Sequence, residues 1–309
     1  MRKILKIGTR GSKLALIQTQ LVADALRQAQ PSLEIETVVI TTQGDQNMSP
    51  IPLDTVGKAW FTAEIDHSLR HHQIDLAVHS LKDLPLELEP GLAMTVVLPR
   101  ADPRDVLVSR SGLLSEIPPH AVIGTDSARR RTQLLHLRPD LQVRSLRGNV
   151  QTRLRKLAAG DYYAVVLAAA GLVRLDLEAE ITEFLDPKRF VPAPGQGALA
   201  AETRANDREL QELLARIQDQ GSVITTAAER AFSAAVGGNC QLPVGCYAQL
   251  DGATVQIRAV IADLSPGSQP CFDSATGPVA DAANTATALA TRMLESCHIN
   301  FPKAGSHAA

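Results

Sequence analysis

Residues 5–14 read LKIGTRGSKL and residues 121–130 read AVIGTDSARR. In both stretches a short apolar run ends in Ile-Gly-Thr, and a serine follows within three residues, Ser12 in the first and Ser127 in the second. The apolar run predicts a strand, and serine is a preferred residue immediately before the first turn of a helix. A strand that leads directly into a helix is typical of α/β domains, so its presence twice predicts two related α/β lobes, with a ligand cleft near the carboxyl ends of their strands.

The same rhythm extends outward from both stretches through the first two-thirds of the chain. Short apolar runs alternate with helical spacing of apolar residues, which predicts parallel sheets with crossover helices. The predicted strands are Leu5–Gly8, Ile35–Thr41, Ile74–His79, Ala121–Gly124, Gln142–Leu146 and Ala164–Ala168. The predicted helices are Leu14–Leu26, Phe61–Arg70, Ala128–Leu137 and Val150–Ala159.

The last third follows a different pattern. Residues 206–236 are mostly helical in spacing, two strands are predicted at Tyr247–Leu250 and Val255–Ala262, and an alanine-rich helix is predicted from Val279 to Cys297. These elements predict a small α+β module.

Composition limits the possible classes of protein. With 309 residues, 45% hydrophobic and 21% charged, the chain is globular and long enough for two or three domains. The four cysteines show no metal-type spacing and no compact disulfide framework, which suits a reducing compartment. No apolar run approaches the ~20 residues of a membrane span, and the first residues lack a signal-peptide core. We therefore expect a cytoplasmic protein without a membrane partner.

One segment carries a strong local charge. Between Arg129 and Lys156 nine basic residues face one acidic residue, Asp140, although the net charge of the chain is −2. Arginines in the first turn of a helix oppose its dipole, and a bound anion would remove that conflict. Because most of these residues are arginine, carboxylate or phosphate groups are the expected anions. A solvated helix face explains the run equally well. Nucleic acid is disfavoured because residues 129–156 contain no aromatic side chain.

Two further residues are candidates for chemistry. Asp83 directly follows the apolar strand in AVHSLKDLP, where α/β folds place catalytic groups, although a surface carboxylate beside Pro85 is the simpler explanation. Cys240 lies between glycines and a proline in GGNCQLPVG, so its thiol is either a small buried group or an exposed nucleophile or attachment point. His67, His71 and His72 indicate a polar helix end rather than a metal site.

These pieces occur together in a known family. The stretches TRGSKLAL, AVHSLKDLP, DPRDVLVS, GTDSARRR, RSLRGNV, PAPGQGAL, AERAF and GGNCQLPVG follow one another in this order. The chain thereby resembles the porphobilinogen deaminase family from about residue 4 to beyond residue 260. The resemblance implies two lobes similar to periplasmic binding proteins that flank a cleft, plus a small α+β C-terminal domain. Domain 1 would comprise residues 1–98 with about 197–217, domain 2 residues 104–192, and domain 3 residues 220–309.

The resemblance also implies an activity. The family condenses four porphobilinogen molecules head to tail onto a covalent dipyrromethane primer, releases ammonia, and frees hydroxymethylbilane for tetrapyrrole biosynthesis. Here the primer would be joined by a thioether to Cys240, no metal would be needed, and the protein would be a monomer. A non-catalytic two-lobed protein that binds a polycarboxylate is the alternative.

Roles for individual residues follow from the resemblance alone. Asp83 would be the catalytic carboxylate. The cofactor would be held by Cys240, Lys82, Ser127, Arg129, Arg130, Arg147 and Gln196. The substrate would be held by Arg10, Ser12, Lys58, Arg147, Arg153 and Arg174. The chain departs from the family pattern at Asp126, where serine is usual, and in a shortened loop from Gln43 to Lys58.

Overall fold

The computed structural model describes residues 4–43, 62–237, 242–263, 268–299 and 301. Its strands are β1 (Ile4–Thr9), β2 (Glu34–Val39), β3 (Leu76–Ser80), β4 (Leu92–Val97), β5 (Asp105–Ser109), β6 (Val122–Gly124), β7 (Gln142–Arg144), β8 (Ala164–Ala168), β9 (Glu183–Phe184), β10 (Leu199–Arg204), β11 (Val244–Asp251), β12 (Thr254–Ile261) and β13 (Cys271–Pro278). Its α-helices are α1 (Lys13–Ala29), α2 (Ala63–Arg70), α3 (Ala128–Leu137), α4 (Val150–Ala158), α5 (Ala169–Arg174), α6 (Arg208–Ala215), α7 (Gln220–Ala235) and α8 (Ala282–Cys297), with 3₁₀ turns at Leu81–Asp83, Glu178–Glu180 and Val279–Asp281.

The chain separates into two compact units, Met1–Ala101 with Gly197–Val223, and Asp102–Gln196 with Ile224–Ala309. The first unit contains a five-stranded sheet in the order β2-β1-β3-β10-β4. Helices α1 and α6 pack on it, and their buried leucines join those of β1 and β3 in one apolar cluster that includes Leu5, Leu26, Leu76 and Leu214. The three-domain division of the chain stays a prediction.

The second unit contains a sheet of the same design, in the order β7-β6-β8-β5-β9. In both sheets the three strands at one edge are parallel, and the fourth strand runs antiparallel to its two neighbours. The prediction of two related α/β lobes is therefore confirmed. The prediction of parallel sheets is wrong for the fourth strand of each sheet, because β10 and β5 enter their sheets without the preceding crossover helix that a parallel strand needs.

The repeated Ile-Gly-Thr has a packing reason in both lobes. A Cβ atom on Gly8 would collide with the side chain of Ile74, and one on Gly124 would lie 2.9 Å from Tyr162 Cδ1. Ile74 and Tyr162 occupy corresponding places, just before the third parallel strand of each sheet. Glycine is required there because the two chain segments approach too closely for any side chain.

The rest of the second unit is a three-stranded antiparallel sheet, β11-β12-β13, covered by helices. Residues of α7 and α8 share its core, in which Phe232, Ile257 and Leu289 are fully buried. The predicted α+β module is confirmed. No helix among the described residues combines the length and apolar character needed to cross a membrane.

The cysteines differ from expectation in one respect. Cys271 at the start of β13 and Cys297 at the end of α8 form a disulfide, with their Cα atoms 6.3 Å apart. The sequence predicted no compact disulfide framework, and this single disulfide forms because α8 folds back along β13, which brings together residues 26 positions apart. Cys246 is buried in β11 and is not bonded to another cysteine.

Candidate active site

Asp83 is positioned by two leucines that hold its turn. Strand β3 ends at Ser80, and the 3₁₀ turn Leu81–Asp83 follows at once. Leu81 and Leu84 are buried in an apolar cluster, and the Leu81 N–H donates to the carbonyl of Ala198. Because the flanking leucines fix the turn from inside, the side chain of Asp83 remains exposed at the carboxyl end of the strand.

Arg10 and Ser12 reach the same place from the neighbouring strand. Strand β1 pairs with β3 in parallel, so the two strands end at the same edge of the sheet. Ser12 caps helix α1 by accepting a hydrogen bond from the Ala15 N–H at 3.2 Å. Together with Asp83 these residues line one pocket, whose wall is completed by Leu14, Ala15, Gln18, Thr62, Val78, His79 and Ser80.

The pocket contains polar residues that sequence reasoning missed. Gln18 Nε2 donates to Ser80 Oγ at 2.9 Å, which ties helix α1 to the end of β3. His79 and Thr62 are almost fully buried in the wall. A signal existed for Gln18, since it is a polar residue on the buried face of α1. His79 is likewise a polar residue within an otherwise apolar strand. The pocket thus places the carboxylate of Asp83 beside the guanidinium of Arg10 and the hydroxyl groups of Ser12 and Ser80. This arrangement suits a ligand that carries both anionic and cationic groups.

Arg129 and Arg130 lie in the first turn of helix α3 in the second unit, and Ser127 caps that helix as predicted. Both arginines are buried. Arg129 Nη1 donates to Asp105 Oδ2 at 2.7 Å, and Arg130 Nε donates to Asp105 Oδ1 at 2.9 Å. The charge conflict at this helix end is therefore relieved by a carboxylate of the chain itself. The roles of both arginines in cofactor binding stay predictions.

Asp105 is the centre of this buried group. Burial alone raises the pKa of its carboxyl, but the guanidinium groups of Arg129 and Arg130 outweigh that effect and hold the pKa well below its usual range. Gln196 Nε2 also donates to Asp105 Oδ1, at 3.1 Å, and to the carbonyl of Pro103 at 2.7 Å. Sequence reasoning missed Asp105, although an acidic residue at the head of the apolar strand in DPRDVLVS was a signal.

Arg147 has a partner in its own chain. Its Nε donates to Asp126 Oδ2 at 2.9 Å, and the other oxygen of Asp126 accepts a hydrogen bond of 2.5 Å from Ser145. Arg147 and Arg153 flank the start of helix α4, and Arg153 Nε donates to the carbonyl of Gly148 at 2.8 Å. Gly148 has φ +112°, which favours glycine and turns the chain from Arg147 into the helix.

Four predicted site residues remain: Arg174, Lys82, Lys58 and Cys240. Arg174 ends helix α5, and burial lowers its pKa to about 10, so the guanidinium stays charged at neutral pH. Lys82 lies in the 3₁₀ turn beside Asp83. Lys58 and Cys240 lie outside the described residues, as does most of the loop from Gln43 to Lys58. The chain on either side of Cys240 is described, with helix α7 before it and β11 after it.

Comparison with protein families matches nearly the whole chain. Residues 5–212 match the family model described as porphobilinogen deaminase, dipyromethane cofactor binding domain. Residues 223–295 match the model described as porphobilinogen deaminase, C-terminal domain.

Individual proteins agree with these matches. The chain is 50% identical over 263 residues to a porphobilinogen deaminase of Roseiflexus sp. (strain RS-1), covering 84% of this chain and 86% of that relative. It is 46% identical to that of Roseiflexus castenholzii over 96% of this chain and 97% of the relative. For the Thermus thermophilus protein of the same name the identity is 44%, over 95% and 96%. Among solved structures, an ancestral cationic amino acid solute binding protein is 15% identical with a TM-score of 0.42, over 70% of this chain and 88% of its own, which is too weak to carry an argument.

Proposed function

The chain belongs to the porphobilinogen deaminase family, and from this we propose that Asp83 is its catalytic carboxylate and Cys240 its site of cofactor attachment. The family condenses porphobilinogen head to tail on a dipyrromethane primer and yields hydroxymethylbilane for tetrapyrrole biosynthesis. The observation that carries the proposal is the pocket in which Asp83 lies with Arg10 and Ser12.

Asp83 would act on the charge that develops during condensation. Each porphobilinogen loses ammonia from its aminomethyl group, and the carbon left behind becomes electron-poor. An anionic oxygen held next to that carbon stabilises the positive charge, and it accepts hydrogen bonds from the pyrrole N–H groups. The exposed position of Asp83 at the end of β3 supports this role, since the carboxylate can reach a ligand in the pocket.

The arginines would hold the carboxylates of the substrate. Each porphobilinogen carries an acetate and a propionate, so a growing chain gains negative charge with every ring. Arg10 and Ser12 would bind these groups on the first unit, and Arg147, Arg153 and Arg174 on the second. Arginine suits this role because its planar fork makes two hydrogen bonds to one carboxylate.

The cofactor would be held by residues on the second unit. When bound, the dipyrromethane supplies the free pyrrole carbon to which the first substrate is joined. Ser127 and Arg147 fit such a group, because a hydroxyl at a helix end and a partly exposed guanidinium both donate to carboxylates. Arg129, Arg130, Gln196 and Lys82 belong to the same proposal. The thioether to Cys240 also belongs to it, together with a cytoplasmic location and a monomeric state without nucleic acid.

The attachment is tested by the mass of the denatured protein. Wild-type protein made with porphobilinogen available should exceed its sequence mass by one dipyrromethane, and Cys240→Ser should have the sequence mass. Cys246→Ala is the matched control and should keep the extra mass, because that thiol is buried in β11. An unmodified wild-type chain would overturn the proposal and favour a non-catalytic binding protein.

The role of Asp83 is tested by Asp83→Asn, which keeps the shape of the side chain and removes its charge. We expect loss of hydroxymethylbilane formation by a factor of at least about 100, the size typical for a charged group that acts in the transition state. Glu87→Gln removes an exposed carboxylate four residues away and should leave turnover unchanged. Near-normal turnover by Asp83→Asn would show that another group does this work.

A further inference from the structure

Three titratable side chains lie together inside the first unit, and the mechanism above uses none of them. They are Asp66 on α2, Glu202 on β10 and His79 on β3, and each is at least nine-tenths buried. Strands β3 and β10 are antiparallel, with His79 opposite Ala200, so His79 and Glu202 lie two positions apart diagonally on the same face of the sheet. His79 Nε2 lies 3.1 Å from Glu202 Oε2. We call these residues the buried triad.

The triad is short of hydrogen-bond donors. Asp66 Oδ2 accepts a hydrogen bond from Thr62 Oγ1 at 3.1 Å. Among the described residues, no hydrogen-bond partner is found for Asp66 Oδ1 or for either oxygen of Glu202, and the contact of His79 with Glu202 lacks hydrogen-bond geometry. Two carboxyl groups in contact can bond to each other only when a proton lies between them. Burying both as anions would cost several kcal/mol.

The physical chemistry of Asp66 agrees with a shared proton. Burial, followed by the neighbouring Glu202, raises the pKa of Asp66 from 3.8 to about 7. The hydrogen bond from Thr62 acts in the opposite direction. A carboxyl group with such a pKa changes its charge near neutral pH.

In the part of the chain that the structure describes, the charged groups around the triad are either acidic or already paired. On α2 itself Glu64 accepts a hydrogen bond from the Gln43 N–H, and Glu89, from the segment after Asp83, adds a further negative charge. On β10 Arg204 is bonded to Asp75, Asp207 and the carbonyls of Leu69 and Ile74. Strand β1, which also packs against α2, contributes Lys6, which is paired with Glu36.

The triad adjoins the pocket of Asp83. His79 and Thr62 each line that pocket, and each contacts one of the two buried acids. The charge of the triad therefore acts through a single layer of side chains on whatever the pocket holds. Solvent screens this charge only weakly, because Asp66, His79 and Glu202 are all buried.

We propose that the buried triad is a proton-holding support for the substrate pocket, in which a proton shared by Asp66 and Glu202 keeps the wall behind Thr62 and His79 from repelling the carboxylates of porphobilinogen. Asp66 and Glu202 are then positioning residues that act on substrate binding through His79. This inference rests on the proposed function, since it takes the Asp83 pocket as the place where porphobilinogen binds.

The sign of the pH effect follows directly. Below the titration the shared proton is present and the wall carries less negative charge. As pH rises through about 7 the proton leaves, one negative charge is added behind the wall, and a substrate with two carboxylates binds more weakly. KM for porphobilinogen should therefore rise with pH, while kcat, which depends on groups in contact with the substrate, should change little.

The experiment measures kcat and KM of the cofactor-loaded enzyme between about pH 6 and pH 8.5. In the wild type KM should rise by about three- to tenfold more than in Asp66→Asn and Glu202→Gln, in which an amide hydrogen replaces the shared proton and a second negative charge cannot appear. Asp24→Asn removes an exposed carboxylate on α1 and is the matched control, expected to keep the wild-type profile. Equal pH dependence of KM in the wild type and both triad variants would overturn the inference.

Thr62→Val gives a test that leaves both acids in place. It removes the hydrogen bond that favours the ionised form of Asp66, so the rise in KM should move to higher pH. Infrared spectroscopy adds a readout that needs no turnover. The wild type and Asp24→Asn should show the carbonyl band of a protonated, buried carboxylic acid at about pH 6, and this band should be absent from Asp66→Asn. Absence of the band in the wild type would contradict the proposal that Asp66 and Glu202 share a proton.

The two proposals fail in different ways. Normal turnover by Asp83→Asn would refute the proposed role of Asp83, and the infrared band would still be present. An active enzyme that needs Asp83 but shows no infrared band of a protonated acid would refute only the proposal about the buried triad.

Discussion

Arg147 Nε donates to Asp126 Oδ2 over 2.9 Å, so a guanidinium group proposed to bind substrate already carries a carboxylate of its own chain. Asp126 is held in place by Ser145, whose hydroxyl donates to its other oxygen. The family resemblance implies a serine at position 126, which would lack this internal carboxylate. A ligand carboxylate must compete with Asp126 for Arg147.

Asp126→Ser should therefore tighten binding of the substrate. The pair is partly exposed, with 23% and 39% of the two side chains accessible, so its contribution is limited to about 1 kcal/mol or less. We expect KM for porphobilinogen to fall by up to about fivefold, measured in steady-state assays. Asp140→Asn breaks a similar pair with Arg138 and serves as control. A higher KM in Asp126→Ser would mean that Asp126 supports Arg147 rather than competing for it.

Asp105 should be needed for stability of the second unit. Asp105→Asn leaves two buried guanidinium groups beside a neutral amide, and loss of one partner from a buried ion pair costs about 3–5 kcal/mol. Urea denaturation at pH 7 measures this loss as a lower free energy of unfolding. The partly exposed pair of Asp140 with Arg138 again provides the control.

The same contacts fix a pH dependence. Because the folded-state pKa of Asp105 is depressed, its contribution to stability is fully present above the ordinary value of 3.8 and is lost as pH falls below it. The difference in free energy of unfolding between wild type and Asp105→Asn should thus be constant from pH 5 to 7 and shrink at lower pH. A difference that grows on acidification would contradict the assignment.

The disulfide between Cys271 and Cys297 should stabilise the C-terminal module. Closing a loop of 26 residues lowers the entropy of the unfolded chain and contributes about 3–4 kcal/mol. A reducing agent should lower the unfolding midpoint of the wild type and leave Cys271→Ser unchanged. Cys297→Ser should behave like Cys271→Ser, while turnover persists in both. An unfolding midpoint of the wild type that ignores the reductant would show that the bond is absent in solution.

Local patterns in the sequence predicted much of the fold. Strand β1 and helix α1 follow from one apolar run and one capping serine, and the bounds of helix α3 and strand β8 match their prediction. Strand β10 was missed because it pairs with β3 from more than a hundred residues away, and its short, alanine-rich run carries no periodic signal.

Some residues of the candidate site could be predicted from the sequence, and others become visible only in the tertiary structure. Asp83 could be selected from its place after a predicted strand, whereas Arg10 and Ser12 were selected from the family resemblance. Their meeting in one pocket depends on the parallel pairing of β1 with β3. Asp105 and the buried triad were not selected, because a polar residue in or beside an apolar strand does not by itself tell a paired buried acid from one in water.

The sequence by itself determined the family, the two α/β lobes with their α+β module, and the residue types available for chemistry, because strand and helix periodicity and local motifs depend only on near neighbours along the chain. Only the tertiary structure decided which charges are neutralised within the protein. Asp105 forms ion pairs with Arg129 and Arg130, Asp126 forms one with Arg147, and Glu202 lies beside Asp66. The physical reason is that the energy of a charge depends on its burial and its nearest partner, and folding brings those partners from distant parts of the chain.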